Sequence, residues 1–282
     1  MSDLHHELEN DEDEVIPATG GERLQLLSYN IQAGIATTRY RHYLTHSWRH
    51  VLPCPSRLDN LDRIASLLQG FDVVGLQEAD GGSLRSGFVN LTEYLALQAH
   101  FPWWYDQTNR DLGKFAQHTL GMLSRYVPTD VAELRLPGVI PGRGALAVRF
   151  GHGSGTLLVV IAHLALGRRA RLRQLAFLAD VLEDAPHAVL MGDLNCEFDS
   201  LEMDWLLART DLCPPPASLH TFPSWRPQRH IDHILVSPSL AVRDVRVINL
   251  SISDHLPIAA EIELPDTLRL SRAIPLRAAA GA

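Results

Sequence analysis

Lysine is all but missing from this chain: Lys114 is the only one in 282 residues. Arginine carries the remaining basic charge. A guanidinium suits phosphate because it forks onto two oxygens, although genome composition produces the same bias. Cysteine is scarce as well. Cys54, Cys196 and Cys213 are odd in number and lack metal-type spacing, which excludes a disulfide framework and fits reduced thiols. Cys196 reads as a small core residue. No apolar run approaches the roughly 20 residues a bilayer-spanning helix needs, so a soluble protein is expected. The first residues lack the basic-then-apolar pattern of a secretory signal, which sets the expectation of a cytoplasmic one.

A chain of 282 residues with a hydrophobic content of 46% is long enough for one large domain or two small ones. The formal charge of −8 is unevenly placed. Asp3, Glu7, Glu9, Asp11, Glu12, Asp13 and Glu14 lie on a segment without lysine or arginine, so the rest of the chain sums to about −1. A segment of that composition is expected to be disordered. The expected organisation is an acidic tail over residues 1–21, a domain over 22–264 and a flexible Arg- and Ala-rich tail over 265–282.

The chemistry gathers where strand-like apolar runs stop. Ala188 to Met191 reads as a buried strand that meets Gly192 and is followed by Asp193 and Asn195. A rigid strand end opening into a loop suits a hard cation or a nucleophilic water. Gly-Asp and Asn are also turn residues, so this stretch alone is equally an ordinary strand exit. Further apolar runs close on Asn30, on Gln77-Glu78, on His163, and on the pair Asp232-His233 and Asp254-His255. Repetition over five runs is what favours a site.

Between these runs the periodicity predicts helices over Ser56–Gln69, Phe88–Ala99 and Arg168–Glu183, and a short one from Leu201 capped by Ser200. In the third, Leu172, Leu175, Ala176, Ala179 and Leu182 form the expected buried face, with Arg169, Arg171 and Arg173 on a solvated face. Trp103-Trp104-Tyr105 reads as a strand with both tryptophans in the core, followed by a loop over Gln107–Arg110. A last strand before the final one is expected over Val242–Leu250. Residues 36–55, rich in Arg, His and aromatics, read either as a substrate-gripping lid or as a surface insertion.

Gly192-Asp193-Leu194-Asn195 and Ser253-Asp254-His255-Leu256-Pro257, with Asn30, Glu78, His163 and Ile231-Asp232-His233 in this order, resemble the endonuclease/exonuclease/phosphatase superfamily, which includes deoxyribonuclease I. The resemblance runs from about Leu24 to about Leu264. It implies a four-layer α/β/β/α sandwich of two mixed sheets and a phosphoesterase using Mg²⁺ or Mn²⁺. It further implies Glu78 as the main metal carboxylate, Asn30 and Asp254 near the ion, and Asp193 with Asn195 positioning water. His255 is implied as the acid–base group oriented by Asp232, and His163 as a donor to phosphate oxygens. Family members use either Asp193 or His255 as base. The stretch His118 to Arg125 departs from the family pattern, since Leu120 stands where an asparagine is expected; His118 is the candidate replacement.

Arg85, Arg110, Arg143 and His118 are the candidate substrate contacts. A near-neutral domain without a basic stripe makes a small-molecule or lipid-headgroup phosphate ester the first-choice substrate. A nuclease is the alternative, supported by Arg39, Arg41, Arg49, Arg110, Arg143 and Arg229 on expected loops. A non-catalytic scaffold of the same fold ranks last, because Glu78, Asp193 and His255 are all present.

Overall fold

The computed structural model of the chain describes residues 21–34, 56–111, 117–138, 142–214 and 219–273. The acidic segment 1–20, the stretch 36–55 and Lys114 lie outside the described residues, as do the side chains of Arg85 and Arg110.

Eleven strands and four α-helices are present among the described residues. The strands are β1 (Arg23–Asn30), β2 (Val73–Ala79), β3 (Trp103–Asp111), β4 (Gln117–Ser124), β5 (Pro128–Leu134), β6 (Gly144–Phe150), β7 (Leu157–His163), β8 (His187–Asp193), β9 (Asp232–Val236), β10 (Ala241–Val247) and β11 (Ile258–Glu263). The helices are α1 (Ser56–Leu68), α2 (Leu91–Gln98), α3 (Arg168–Leu182) and α4 (Leu201–Arg209). One sheet has the order β10-β11-β1-β2-β4-β3 and the other β5-β6-β7-β8-β9. Both are mixed: β1–β2 and β7–β8 run parallel, and the other pairs are antiparallel.

Two-residue alternation along each strand builds the layers. Leu26 and Val73 face the second sheet, in one core with Val159, Ile161, Val189 and Met191. Their neighbours Leu27 and Val74 face outward onto Leu61, Ile64 and Leu68 of α1 and Leu91 and Leu95 of α2. Leu158, Val160 and Leu190 face outward from the other sheet onto Leu175, Leu178 and Leu182 of α3 and Met203 and Leu206 of α4. The two sheets approach closely at Gly75, where an added Cβ would lie 2.9 Å from an Ile161 methyl. The expected α/β fold of two mixed sheets between helices is the observed one.

Several expected details shift. Residues 107–110 continue β3 instead of forming a loop, because they pair with β4 across a bulge between Thr108 and Arg110. Trp103 is exposed, and only Trp104 packs on the outer core of its sheet. Helix α2 starts at Leu91, where Asn90 caps it by accepting from the backbone of Thr92 and Glu93. Ser200 caps α4 through the backbone N–H of Met203 as expected. β10 stops at Val247, and residues 265–273 are not a loose tail. Leu268 is fully buried in the inter-sheet core, and Arg272 reaches Asp72 at 2.8 Å and stacks on Tyr126. No helix among the described residues is long and apolar enough to cross a membrane.

Candidate active site at the shared strand edge

Strand direction explains why residues far apart in sequence meet. β1 and β2 are parallel neighbours, so Asn30 and Glu78 reach the same edge, and β7 and β8 do the same for His163 and Asp193. β9 is antiparallel to β8, and Asp193 pairs in register with Asp232. β11 is antiparallel to β1, which returns the loop holding Asp254 and His255 to the end of β1. Asp232 therefore opens its strand and His255 precedes one; neither closes an apolar run, as the sequence suggested. Antiparallel strands present their starts where parallel strands present their ends.

The Gly-Asp-Leu-Asn motif has a steric reason. Gly192 sits at φ 144°, and a Cβ there would fall 1.9 Å from the Ala162 carbonyl oxygen. Only glycine fits between β7 and the turn that aims Asp193 into the cleft. Asn195 takes a left-handed φ of 53°, donates its backbone N–H to Asp193 Oδ1 at 3.0 Å and ties its amide to the Leu164 carbonyl.

Asp193 is the hub. Its Oδ2 accepts from Asn30 Nδ2 at 3.2 Å, lies 3.3 Å from His163 Nε2 and stands 3.8 Å from His255 Nε2. Burial opposes its charge, but His255, His163 and Arg143 outweigh burial and hold the carboxyl well below the usual range. His255 donates from Nδ1 to Asp232 Oδ2 at 2.8 Å, and the same oxygen accepts from Thr221 Oγ1 at 2.5 Å. The His255 imidazole would be neutralised by burial alone; Asp232 and Asp193 instead raise it to about 10, so it carries a proton at neutral pH.

Glu78 completes the cluster from the first sheet. It sits at a bulge where Leu76 and Ala79 pair with Gly121 and Thr119, and its φ of 53° is left-handed. For a residue other than glycine that backbone costs about 1–2 kcal/mol, and such strain concentrates at functional positions. Its Oε1 lies 3.8 Å from His163 Nε2, and its side chain is 31% exposed, the open member of an otherwise buried set. Burial raises its pKa, yet His163, Arg143 and His255 together lower it, so it is anionic.

Arg143 is brought to the site, with Nη1 2.8 Å from His163 Nδ1 and 2.5 Å from Nε2. Arg229 pairs with Glu197 at 2.6 Å and leans over Phe222, whose ring lies 4.9 Å from that of His255. His118 stands on β4 next to Thr119, the partner of Ala79 beyond the Glu78 bulge. Leu120 is fully buried between the sheets, so no phosphate contact comes from that position. Asp254 is nearly buried and accepts from Ser253 Oγ at 3.1 Å. Cys196 is a core thiol, pushed up to about 12 by burial.

Two further residues position the site, in roles the sequence does not give them. Tyr29 faces away from the cleft, where its hydroxyl donates to the Leu250 carbonyl at 3.3 Å and accepts from the Ser253 N–H at 3.3 Å, fixing the loop before Asp254. Thr221 holds Asp232 through its hydroxyl and accepts the Leu256 N–H at its carbonyl. Neither has a local signal, since each acts on a partner distant in sequence.

Behind the site, Phe198, His230 and His233 stack, with ring centroids 5.4 and 4.5 Å apart. Burial holds both histidines neutral, lowering His230 to about 4 and His233 to about 3. A histidine depressed by folding contributes stability that is present above its unfolded pKa of about 6.5 and lost as pH falls toward the folded value. Urea unfolding is therefore expected to weaken between pH 6.5 and 4, with a slope of up to roughly 1.4 kcal/mol per pH unit for each histidine. Replacing both by phenylalanine should flatten that limb; an unchanged limb would clear the pair of this role.

Among the described residues, one ligand atom each from Asp193, Asp232 and His255 lie within 4.8 Å of one another. Two of these groups are already bound to each other, so their closeness reflects the carboxylate–imidazole hydrogen bond. Glu78 is the partly exposed carboxylate of the cleft, and Asn30 lies against Asp193 through its amide nitrogen.

Solved structures share this fold at low identity. An endonuclease/exonuclease/phosphatase from Beutenbergia cavernae superposes with a TM-score of 0.67 at 20% identity, covering 86% of this chain and 72% of that one. A mannosyl-6-phosphatase from Bacteroides thetaiotaomicron gives 0.63 at 18%, covering 85% and 99%. D. rerio TDP2 complexed with a single-strand DNA product gives 0.63 at 18%, covering 86% and 99%. No curated protein matches the chain by sequence. Residues 27–255 match the profile of the Endonuclease/Exonuclease/phosphatase family, whose members are hydrolases of phosphoester bonds, and the chain belongs to that family.

Proposed function

We propose that this protein is a divalent-metal-dependent phosphoesterase that hydrolyses a phosphodiester or phosphomonoester of a small molecule or lipid headgroup. The observation that carries the reading is one cleft in which Glu78 and Asp193 are ionised while His163, His255 and Arg143 surround them. The carboxylates of Glu78 and Asp193 with the cations of Arg143 and His255 match an ester phosphate that gains charge as it is attacked.

Glu78 and Asn30, with Asp254, fit Mg²⁺ or Mn²⁺ because every donor is a hard oxygen and Glu78 is anionic and open to the cleft. A bound ion would polarise a phosphoryl oxygen as a Lewis acid. The chain's own groups supply the rest. Asp193, held by the Asn195 N–H, accepts a hydrogen bond from the attacking water and orients it. His255, its Nδ1 tied to Asp232, offers a proton from Nε2 to the departing oxygen. His163 and Arg143 face the non-bridging oxygens.

Purified protein with Mg²⁺ or Mn²⁺ should hydrolyse bis-p-nitrophenyl phosphate or another small ester, and EDTA should stop it. A panel adding an inositol phosphate, a phospholipid, RNA and plasmid DNA tests the substrate class. Preferred cleavage of DNA or RNA that falls steeply with added salt would replace this reading with the nuclease one. Inertness toward every substrate with either ion would end both.

A further inference from the structure

Next to the cleft lies a groove of about 480 Å³, and of its lining residues the reaction described above uses Arg143 alone. Arg143, Arg168, Arg169 and Arg173 line it, its walls are Ala165, Leu166 and Ala170, and no carboxylate is among its lining residues. It is continuous with the site on two sides: Arg143 touches His163, and Ala165 follows His163 by two residues.

The arginines are not equally neutralised. Arg168 and Arg171 share the Glu202 carboxylate at 3.4 and 2.8 Å. Arg171, expected on a solvated face, is thereby tied down, and it also donates to the carbonyls of Ala165 and Leu166. Arg169 and Arg173 are exposed and make no ion pair among the described residues. They stand four residues apart on α3, where like charges repel on one helix face. The first turn of α3, Arg168 to Ala170, also lines the groove, which places the positive end of the helix beside them.

We propose that this groove holds a second phosphoryl group of the same substrate, joined by an apolar body to the ester hydrolysed in the cleft. Arg169 and Arg173 receive the distal phosphoryl group, Ala165, Leu166 and the arginine stems cover the body between the two phosphates, and Arg143 bridges both sites. The inference rests on the phosphoesterase reading and narrows its substrate to bisphosphorylated compounds.

The test uses the full chain with Mg²⁺ and a series of alkanediol bisphosphates from propanediol to octanediol, each compared with the alkyl monophosphate of the same length. At the best length the bisphosphate should show a KM at least about tenfold lower than its monophosphate. The double variant Arg169→Ala/Arg173→Ala, checked for an unchanged thermal melt, should bring that ratio close to one. Equal KM values along the whole series, or an advantage that survives the double variant, would overturn the assignment. Calorimetric titration of the same compounds separates this idea from the reading beneath it. Tighter bisphosphate binding that the double variant loses, with no hydrolysis of these compounds or of bis-p-nitrophenyl phosphate, upholds the groove and rejects the phosphoesterase. Hydrolysis with no bisphosphate preference does the reverse, and no difference in binding rejects the groove.

Discussion

Asp193→Ala is expected to lower kcat/KM about a thousandfold or more on whichever ester the wild type hydrolyses. The carboxylate is the point at which four elements meet, through Asn30, His163, Asn195 and His255. Without it the water loses its acceptor, and His163, Arg143 and His255 face one another with one counter-charge fewer. Leaving a buried charge without its partner costs roughly 3–5 kcal/mol unless the group can release its proton, and His255 can. The His255 pKa is the diagnostic. Burial pulls it down, while Asp232 and then Asp193 raise it to about 10. The raised value stabilises the wild-type fold fully below the unfolded pKa of about 6.5 and is lost as pH rises toward 10. In the variant that loss should be smaller and should end at lower pH, and the His255 ring resonances should titrate below the wild-type midpoint. A titration that does not move would remove Asp193 from the hub even if activity were lost.

Much of this arrangement is legible in the sequence, for a definite reason. Strands buried on both faces read as unbroken apolar runs. A polar residue that stops such a run, as Asn30, His163 and Asp193 do, is therefore conspicuous. Asp232 and His255 carry no such mark, because they sit ahead of their strands and reach the cleft only through antiparallel pairing with β8 and β1. Their roles are implied by the family resemblance and not by their positions in the pattern. The supporting contacts of Tyr29 and Thr221 are hidden for a related reason: a hydroxyl's partner cannot be read from its neighbours.

Helix α3 shows the opposite failure. Its apolar period places Leu175, Ala179 and Leu182 on the buried side as found, but it also predicts Leu172 and Ala176 inside, where Gln174 and Leu178 are buried instead; Gln174 accepts the Ala165 N–H just after the His163 strand. A one-residue turn of the face moves Arg171 toward Glu202 and leaves Arg169 and Arg173 beside the groove. The pattern of one helix specifies how much of it is buried, but the neighbouring strand end specifies which face. Arginines that look like a generic solvated surface thus become neighbours of the active site.

Glu78→Gln is expected to abolish turnover to a similar extent while leaving the fold intact. Glu78 is the anionic oxygen donor open to the cleft, and it is held in a left-handed backbone that the bulge in β2 imposes. The amide keeps the shape and the backbone conformation, so any loss belongs to the charge. A ligand that binds only the folded state raises the unfolding midpoint by mass action, with about 2.7 kcal/mol gained at one hundred times Kd. The wild-type Tm should therefore climb with added Mg²⁺ or Mn²⁺, and the Glu78→Gln Tm should stay flat over the same range. His163 and Arg143 lose a counter-charge in the variant, so its Tm without metal should fall below that of the wild type. A variant that still gains stability from Mg²⁺ as the wild type does would move the ion to Asp254 or Asp193, and the division of labour between the two sheets would have to be redrawn.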